Sequence, residues 1–221
     1  MNRRTARQKE SGFSLIELIV AMTIMLLLMG VVSMVLSKTM GIRSREGRIT
    51  DALASSEAAL NVMSREISNS GFGIRSAASA RTADNGILID DSGSNRIHFR
   101  TNLTNTAPYS DTMEPGETTD PGEDVTYFFD DTTKSIVRYD PNGTGTSVVV
   151  NKISNVTFKY FDYCTTCDPT AGSDVPSANT SLVMITVSVD LEPVQGQPSG
   201  QQVVFTSQVN LRNSSYMLKQ Y

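Results

Sequence analysis

At 221 residues the chain has room for one domain and an appendage, but two domains of ordinary size would be a squeeze. The net charge is −4; Arg3, Arg4, Arg7 and Lys9 against Glu10 make the first twelve residues +3, so the remainder carries −7, an acidic body that argues against nucleic acid as the main partner. A single His and no Trp exclude a catalytic or metal centre built on several imidazoles, and 19% charged residues among plentiful Gly, Ser, Thr and Asn suit a β-rich domain with long polar loops.

After the short basic N-terminus comes the run Phe13 to Leu36, uncharged from Leu18 onward. As a helix at about 1.5 Å per residue it spans about 36 Å, against about 30 Å for the hydrocarbon core of a bilayer. A secretory signal has a shorter apolar region, about 7–15 residues, and then a small-residue cleavage site, which is lacking here. Basic residues flank the run on both sides, with Lys38, Arg43, Arg45 and Arg48 following it, so charge asymmetry does not orient it. Glu17 is the anomaly, because a carboxylate beside such a run needs a partner or a task.

The residues Gly12-Phe13-Ser14-Leu15-Ile16-Glu17 resemble the processing site of type IV prepilins and pseudopilins. The resemblance rests on Gly-Phe, an acid at a fixed distance, the apolar run directly after and a short basic leader. It implies cleavage by a prepilin peptidase after Gly12 and N-methylation of the new terminus, Phe13. It also implies an assembly role for Glu17, whose carboxylate pairs with an N-terminal amine, in this family that of a neighbouring subunit. Phe13 and Glu17 stand at i and i+4, one helical turn apart, so a pairing within one chain is the alternative. Many major pilins kink the membrane half at a Pro; this chain has none there, and Gly30 is the only candidate weak point.

Beyond Leu36 the stretch Lys38 to Arg48 carries Gly41 and Gly47, where stiffness is expected to fall. Helical periodicity then returns: Ile49, Leu53, Leu60, Met63 and Ile67 recur on one face, and Ser70 to Gly73 ends the pattern. Such a helix is expected to lie against a sheet.

Strand patterns fill the rest. "GILIDD" and "NRIHFRT" flank Ser92-Gly93-Ser94 as a hairpin; "VTYFFD" and "SIVRYD" flank Asp131 to Lys134; "VVV" and "ISNVTFKYFDY" follow Pro141-Asn142-Gly143. Two long alternating strands close the chain. Val183, Ile185, Val187, Val189 and Leu191 form the inward face of the first, and Val203, Phe205, Val209 and Leu211 that of the second, joined as an antiparallel hairpin through Pro193 to Gly200. Leu103 to Asp124 and Cys164 to Ser181 are long polar loops.

The chemistry available is sparse. Cys164 and Cys167 form a C-x-x-C without the βαβ setting of a redox site or enough further ligands for zinc, so a local disulfide in an exported loop is favoured over a reduced pair. Asp111, Glu114, Glu117, Asp120, Glu123 and Asp124 could offer oxygens to calcium but lack EF-hand spacing, and a solvated acidic loop is favoured. No cofactor is expected. His98, in a strand pattern between Ile97 and Phe99, reads as structural or exposed, and no catalytic constellation accompanies it.

The amphipathic "LNVMSREISNSGF" and the final "VFTSQVNLRN" further resemble the PilW-like minor pilins and the related J-type pseudopilins of type II secretion. The resemblance implies an α+β, pilin-like fold: a leader at 1–12, a transmembrane and assembly helix at 13–36, an amphipathic helix at 37–71 and a β-rich domain at 72–221. It implies a structural subunit rather than an enzyme. Its expected partners are prepilin peptidase, other major and minor pilins, and the inner-membrane assembly platform. Its expected place is the bacterial inner membrane, single-pass with the C-terminal domain periplasmic, and the pilus at the cell surface once assembled. A minor pseudopilin of a type II secretion system and a membrane-anchored adhesin or binding module are the alternatives.

Overall fold

The computed structural model describes residues 12–74, 85–104, 118–163, 171–191, 200–214 and 217. One long N-terminal helix and antiparallel sheets make it an α+β, pilin-like architecture. Helix α1 runs Leu15–Ile67 without a break, through Gly30, Gly41 and Gly47. The chain divides into two compact units, one holding α1 up to Gly47 and the other beginning at Arg48.

In the first unit α1 is apolar around its whole circumference from Leu18 to Leu36. Leu15, Leu27 and Met29 are 77%, 73% and 66% exposed, and the flanking Leu, Ile, Val and Met side chains are comparably open. A helix apolar on all sides needs an apolar medium or apolar partners. Its hydroxyls are satisfied locally: Thr23 Oγ1 donates to the Val20 carbonyl at 2.8 Å and Thr39 Oγ1 to that of Val35 at 2.9 Å.

In the second unit α1 turns amphipathic. Ser56, Ala59, Leu60, Met63 and Ile67 are buried and Ala52 partly so, at helical spacings of three and four. The expected stripe is thereby corrected at Leu53, which is 44% exposed: the buried row runs through Ala52 and Ser56, one residue round the helix. The helix ends at Ile67, and the turn that follows is closed by Asn69 N to Glu66 O and Ser70 N to Ile67 O bonds of 3.1 and 3.0 Å.

Among the described residues seven strands make two sheets rather than one. The first is a meander of β1 (Arg96–Arg100), β2 (Asp124–Asp130), β3 (Ser135–Asp140) and β4 (Gly145–Asn151) in that order; the second is β5 (Asn155–Asp162), β6 (Thr180–Asp190) and β7 (Gln202–Asn210). All neighbours are antiparallel, and a register shift at Ile136/Val137 sits between β3 and β4. The final hairpin forms as expected, with Val183 opposite Val209 and Val187 opposite Phe205. The first expected hairpin is only half a hairpin. Ile87 bridges Phe99, but Ile89–Asp91 then coils into a 3-10 turn.

The turn before β1 knits the two sheets. Phe158 N donates to Ser94 O at 2.7 Å, Phe129 N donates to Asn95 O at 3.3 Å, and the Tyr160 hydroxyl lies 3.1 Å from both the Gly93 and Arg96 carbonyls. One core runs under both sheets and the end of α1, joining Met63 and Ile67 to Ile97, Phe99 and Tyr127 and to Val156, Phe158 and Ile185. Phe99 and Tyr127 stack with ring centroids 6.2 Å apart.

Candidate processing and assembly site

The first described residues, Gly12 and Phe13, are non-helical and exposed, Phe13 at 86%. Nothing lies within 4 Å of where a Gly12 side chain would be. The helix starts two residues beyond the Gly12–Phe13 bond because Ser14 caps it. The Ser14 carbonyl accepts the first intrahelical bond from Leu18 N at 3.2 Å, and the Glu17 carboxylate reaches back to accept the Ser14 N–H at 3.1 Å. Ser14-Leu15-Ile16-Glu17 is thus the Ser-x-x-Glu pattern in which an acid at the third helical position satisfies the capping residue's own amide. A carboxylate in this first turn also meets the positive end of the helix dipole.

This revises the geometry expected of Glu17. In the uncut chain Phe13 lies ahead of the helix, so the i, i+4 relation is not that of two helical residues. The carboxylate is engaged with the amide of the residue next to Phe13. The Ser-x-x-Glu spacing is the sequence signal for this cap, and it falls on the same carboxylate that the resemblance gives to the Phe13 amine.

The other candidates scatter. Cys164 and Cys167 lie outside the described residues, as do Asp111, Glu114 and Glu117. Of the acidic loop, Glu123 is 1% exposed and accepts from Thr104 N at 3.0 Å, while the Thr104 hydroxyl, with one proton to donate, lies 2.5 Å from Asp120 and 2.9 Å from Glu123. Asp124 faces His98 Nε2 at 2.5 Å and Arg100 Nε at 2.9 Å, and His98 Nδ1 faces Asp91 at 3.0 Å. These carboxylates hold the approach to β2 against β1; no described group of three or more His, Cys, Asp or Glu is arranged to hold a metal. Burial raises the Asp124 carboxyl, but the hydrogen bond from His98 and the charges of Arg100 and His98 outweigh it and leave it below 3.8.

Two polar clusters went unread in the sequence. Glu66 on α1 accepts from the Tyr127 hydroxyl at 2.7 Å and from Arg138 Nε at 3.0 Å, tying the helix to β2 and β3. Burial, and then the Glu66 charge, push the Tyr127 phenol far above its ordinary range. Asn85, fully buried, donates to the Ser177 and Thr180 carbonyls at 3.1 and 2.8 Å and accepts from Ile87 N at 3.1 Å, while its own carbonyl accepts from Ser70 Oγ at 2.6 Å. No periodicity in the sequence singles out one Asn or one Glu for such a place.

Residues 7–33 match the family model described as the prokaryotic N-terminal methylation motif. No curated protein and no solved structure matches the chain. The motif implies processing by a prepilin peptidase and assembly with other pilins, and its bearers are structural rather than catalytic. Within α1 it falls on a segment long and apolar enough to cross a membrane. The N-terminal segment therefore resembles that of type IV pilins and pseudopilins, and its apolar helix suits a membrane anchor.

Proposed function

We propose that the chain is a minor type IV pilin of the PilW-like kind. It is made as a membrane-bound precursor, cut between Gly12 and Phe13 by prepilin peptidase and methylated on Phe13. The mature subunit joins other major and minor pilins on the inner-membrane assembly platform, at pilus initiation or at the tip. Its β-rich domain faces the periplasm and then the cell surface. The observation that carries this reading is the methylation motif over residues 7–33, and the non-helical, exposed Gly12 and Phe13 just ahead of α1 support it. The chain length, one β-rich domain behind the helix, supports a minor subunit over a shorter filament-forming one.

Glu17 takes its assembly role after cleavage. The cut creates an ammonium on Phe13, one residue from the amide that Glu17 already holds. In low dielectric that charge needs a carboxylate, and Glu17 supplies it to its own or a neighbouring terminus. Mass spectrometry of the protein from cells with active peptidase should find methylated Phe13 first; an intact leader there would refute the reading. Glu17→Val should be cut nearly as the native chain is, yet reduce assembled pili by tenfold or more, and normal piliation would remove the role given to the carboxylate.

The second reading, a minor pseudopilin of a type II secretion system, rests on the same motif. Deletion separates them: loss of surface pili and twitching supports the first, and loss of secreted hydrolases with pili intact supports the second.

A further inference from the structure

Strand β7 is the end strand of its sheet, with β6 on one side only. Its hydrogen-bonding parity follows from the bonds at its two ends. Leu211 N donates to Ser181 O, and Gln201 O accepts from Leu191 N, both at 2.8 Å, so odd-numbered residues turn their backbone groups to β6. The even-numbered Val204, Thr206, Gln208 and Asn210 therefore turn N–H and C=O to the open side. No hydrogen bond to those backbone groups comes from any described residue. The next even residue, Arg212, already uses its outward N–H on the Ser68 carbonyl at 3.3 Å, so the edge is closed by the end of α1 only there.

A groove of about 680 Å³ runs along this edge. Gln208, Val209 and Asn210 all line it, although alternate residues of a strand point to opposite faces, and this places the groove at the backbone edge itself. Its remaining walls include Ser64 and Arg65 of α1, Ser68 just beyond the helix, and Arg212. Among the described residues neither guanidinium has a partner and no acid lines the groove, in a chain whose net charge is −4. From Gln202 to Asn210 the strand has no charge and no proline, the devices by which exposed edges are normally protected from pairing. The end strand β4 is likewise uncharged, but the groove beside its Val150 and Asn151 sets Asp51 and Asp190 against Arg48 and Lys152, so it presents no uncompensated positive charge.

We propose that the β7 edge is a docking surface for an extended, acidic segment of a second protein, which adds to the sheet as a strand beside Gln208 and Asn210. Backbone donors and acceptors in strand spacing are matched by a polypeptide and by no other polymer. Arg65 and Arg212 select carboxylates on it, and their forked donors hold them bidentately.

The test uses the full chain in detergent and two end-blocked nonapeptides, one alternating Val or Thr with Glu, the other with Lys in place of Glu. The acidic peptide should bind at least tenfold tighter and slow hydrogen exchange at the Gln208 and Asn210 amides at least tenfold. Arg65→Gln with Arg212→Gln should abolish the preference for the acidic peptide. Gln208→Pro, which removes one outward N–H and no bond to β6, should abolish binding with the circular dichroism spectrum unchanged. Equal binding of the two peptides, or binding without protection at Gln208 and Asn210, would overturn the proposal. So would an oligonucleotide of equal negative charge that competes as well as the acidic peptide.

Discussion

Gly86 sits where two backbones touch. A side chain built on it would meet Gly71 N at 2.1 Å and Arg100 O at 2.6 Å, and its φ of +78° is one that L-residues rarely adopt. The contact joins the turn after α1 to the start of the first sheet, through Gly71 N to Arg100 O at 2.9 Å and Arg100 N to Gly86 O at 2.8 Å. Gly86→Ala should cost about 3 kcal/mol or more in chemical denaturation, since clash and backbone strain add; a loss under about 1 kcal/mol would mean the backbones separate freely. Asp124 makes a different kind of prediction. Its carboxyl, against the opposing effect of burial, is held below its ordinary value in the folded chain by His98 and Arg100, so the ionised form favours folding. That stabilisation is complete above the unfolded value and disappears as pH falls through the lower folded one. Asp124→Asn should therefore cost about 1–3 kcal/mol at pH 7, where it removes charge-assisted bonds to His98 and Arg100. The difference from the native chain should shrink in acid below that range. Urea titrations at pH 7 and in strong acid giving the same difference would contradict the linkage.

Among the elements, α1 shows what a hydrophobic pattern can and cannot reveal. Leu60, Met63 and Ile67 were legible because large apolar residues at spacings of three and four mark a buried face. Leu53 fitted the same count yet is exposed, because the helix beside the sheets is narrow there and packs through Ala52, Ser56 and Ala59. Small residues carry little hydropathy, so close approach of helix to sheet leaves almost no mark in such a pattern. The two leucine-sized positions should separate clearly. Met63→Ala removes a fully buried side chain and should cost about 2–5 kcal/mol, whereas Leu53→Ala should stay within about 0.5 kcal/mol. Comparable losses at both sites would restore the expected stripe. The strands were more legible than the helix. Val183, Ile185, Val187 and Val189 are buried as alternation required, because β6 is the centre of a three-stranded sheet. On β7, Val203 and Phe205 are only partly covered, since an end strand has a neighbour on one side only. That there are two sheets was not legible: strand patterns fix which face is inward, whereas the break between β4 and β5 depends on the turn at Gly93 to Arg96 reaching Phe158 and Tyr160 across the chain.

At the scale of the molecule, one helix serves two environments, and the sequence marks the change by composition rather than by a break. Up to Gly47 every described side chain of α1 is open or nearly so; from Ala52 onward the helix contributes to a core shared with both sheets. The anchor and its processing motif were legible because both are local: a charge-free run, and six residues at fixed spacing. The cap formed by Ser14 and Glu17 was also local, yet it competes with a second reading of the same carboxylate, and only coordinates show it engaged before any cleavage. The two-unit division makes the last prediction. All residues of the core cluster, Ala59 to Leu211, lie beyond Arg48, and none comes from the apolar first unit. A fragment beginning at Arg48 should therefore fold in aqueous buffer without detergent and unfold in one cooperative thermal transition. A fragment beginning at Ser68 should not. It lacks Leu60, Met63 and Ile67, whose burial contributes about 1.5–3 kcal/mol each against a total stability of about 5–15 kcal/mol, and it exposes the apolar faces they cover. A fragment from Arg48 that melts without cooperativity would show that the second unit depends on the apolar half of α1 for its stability as well as for its anchorage.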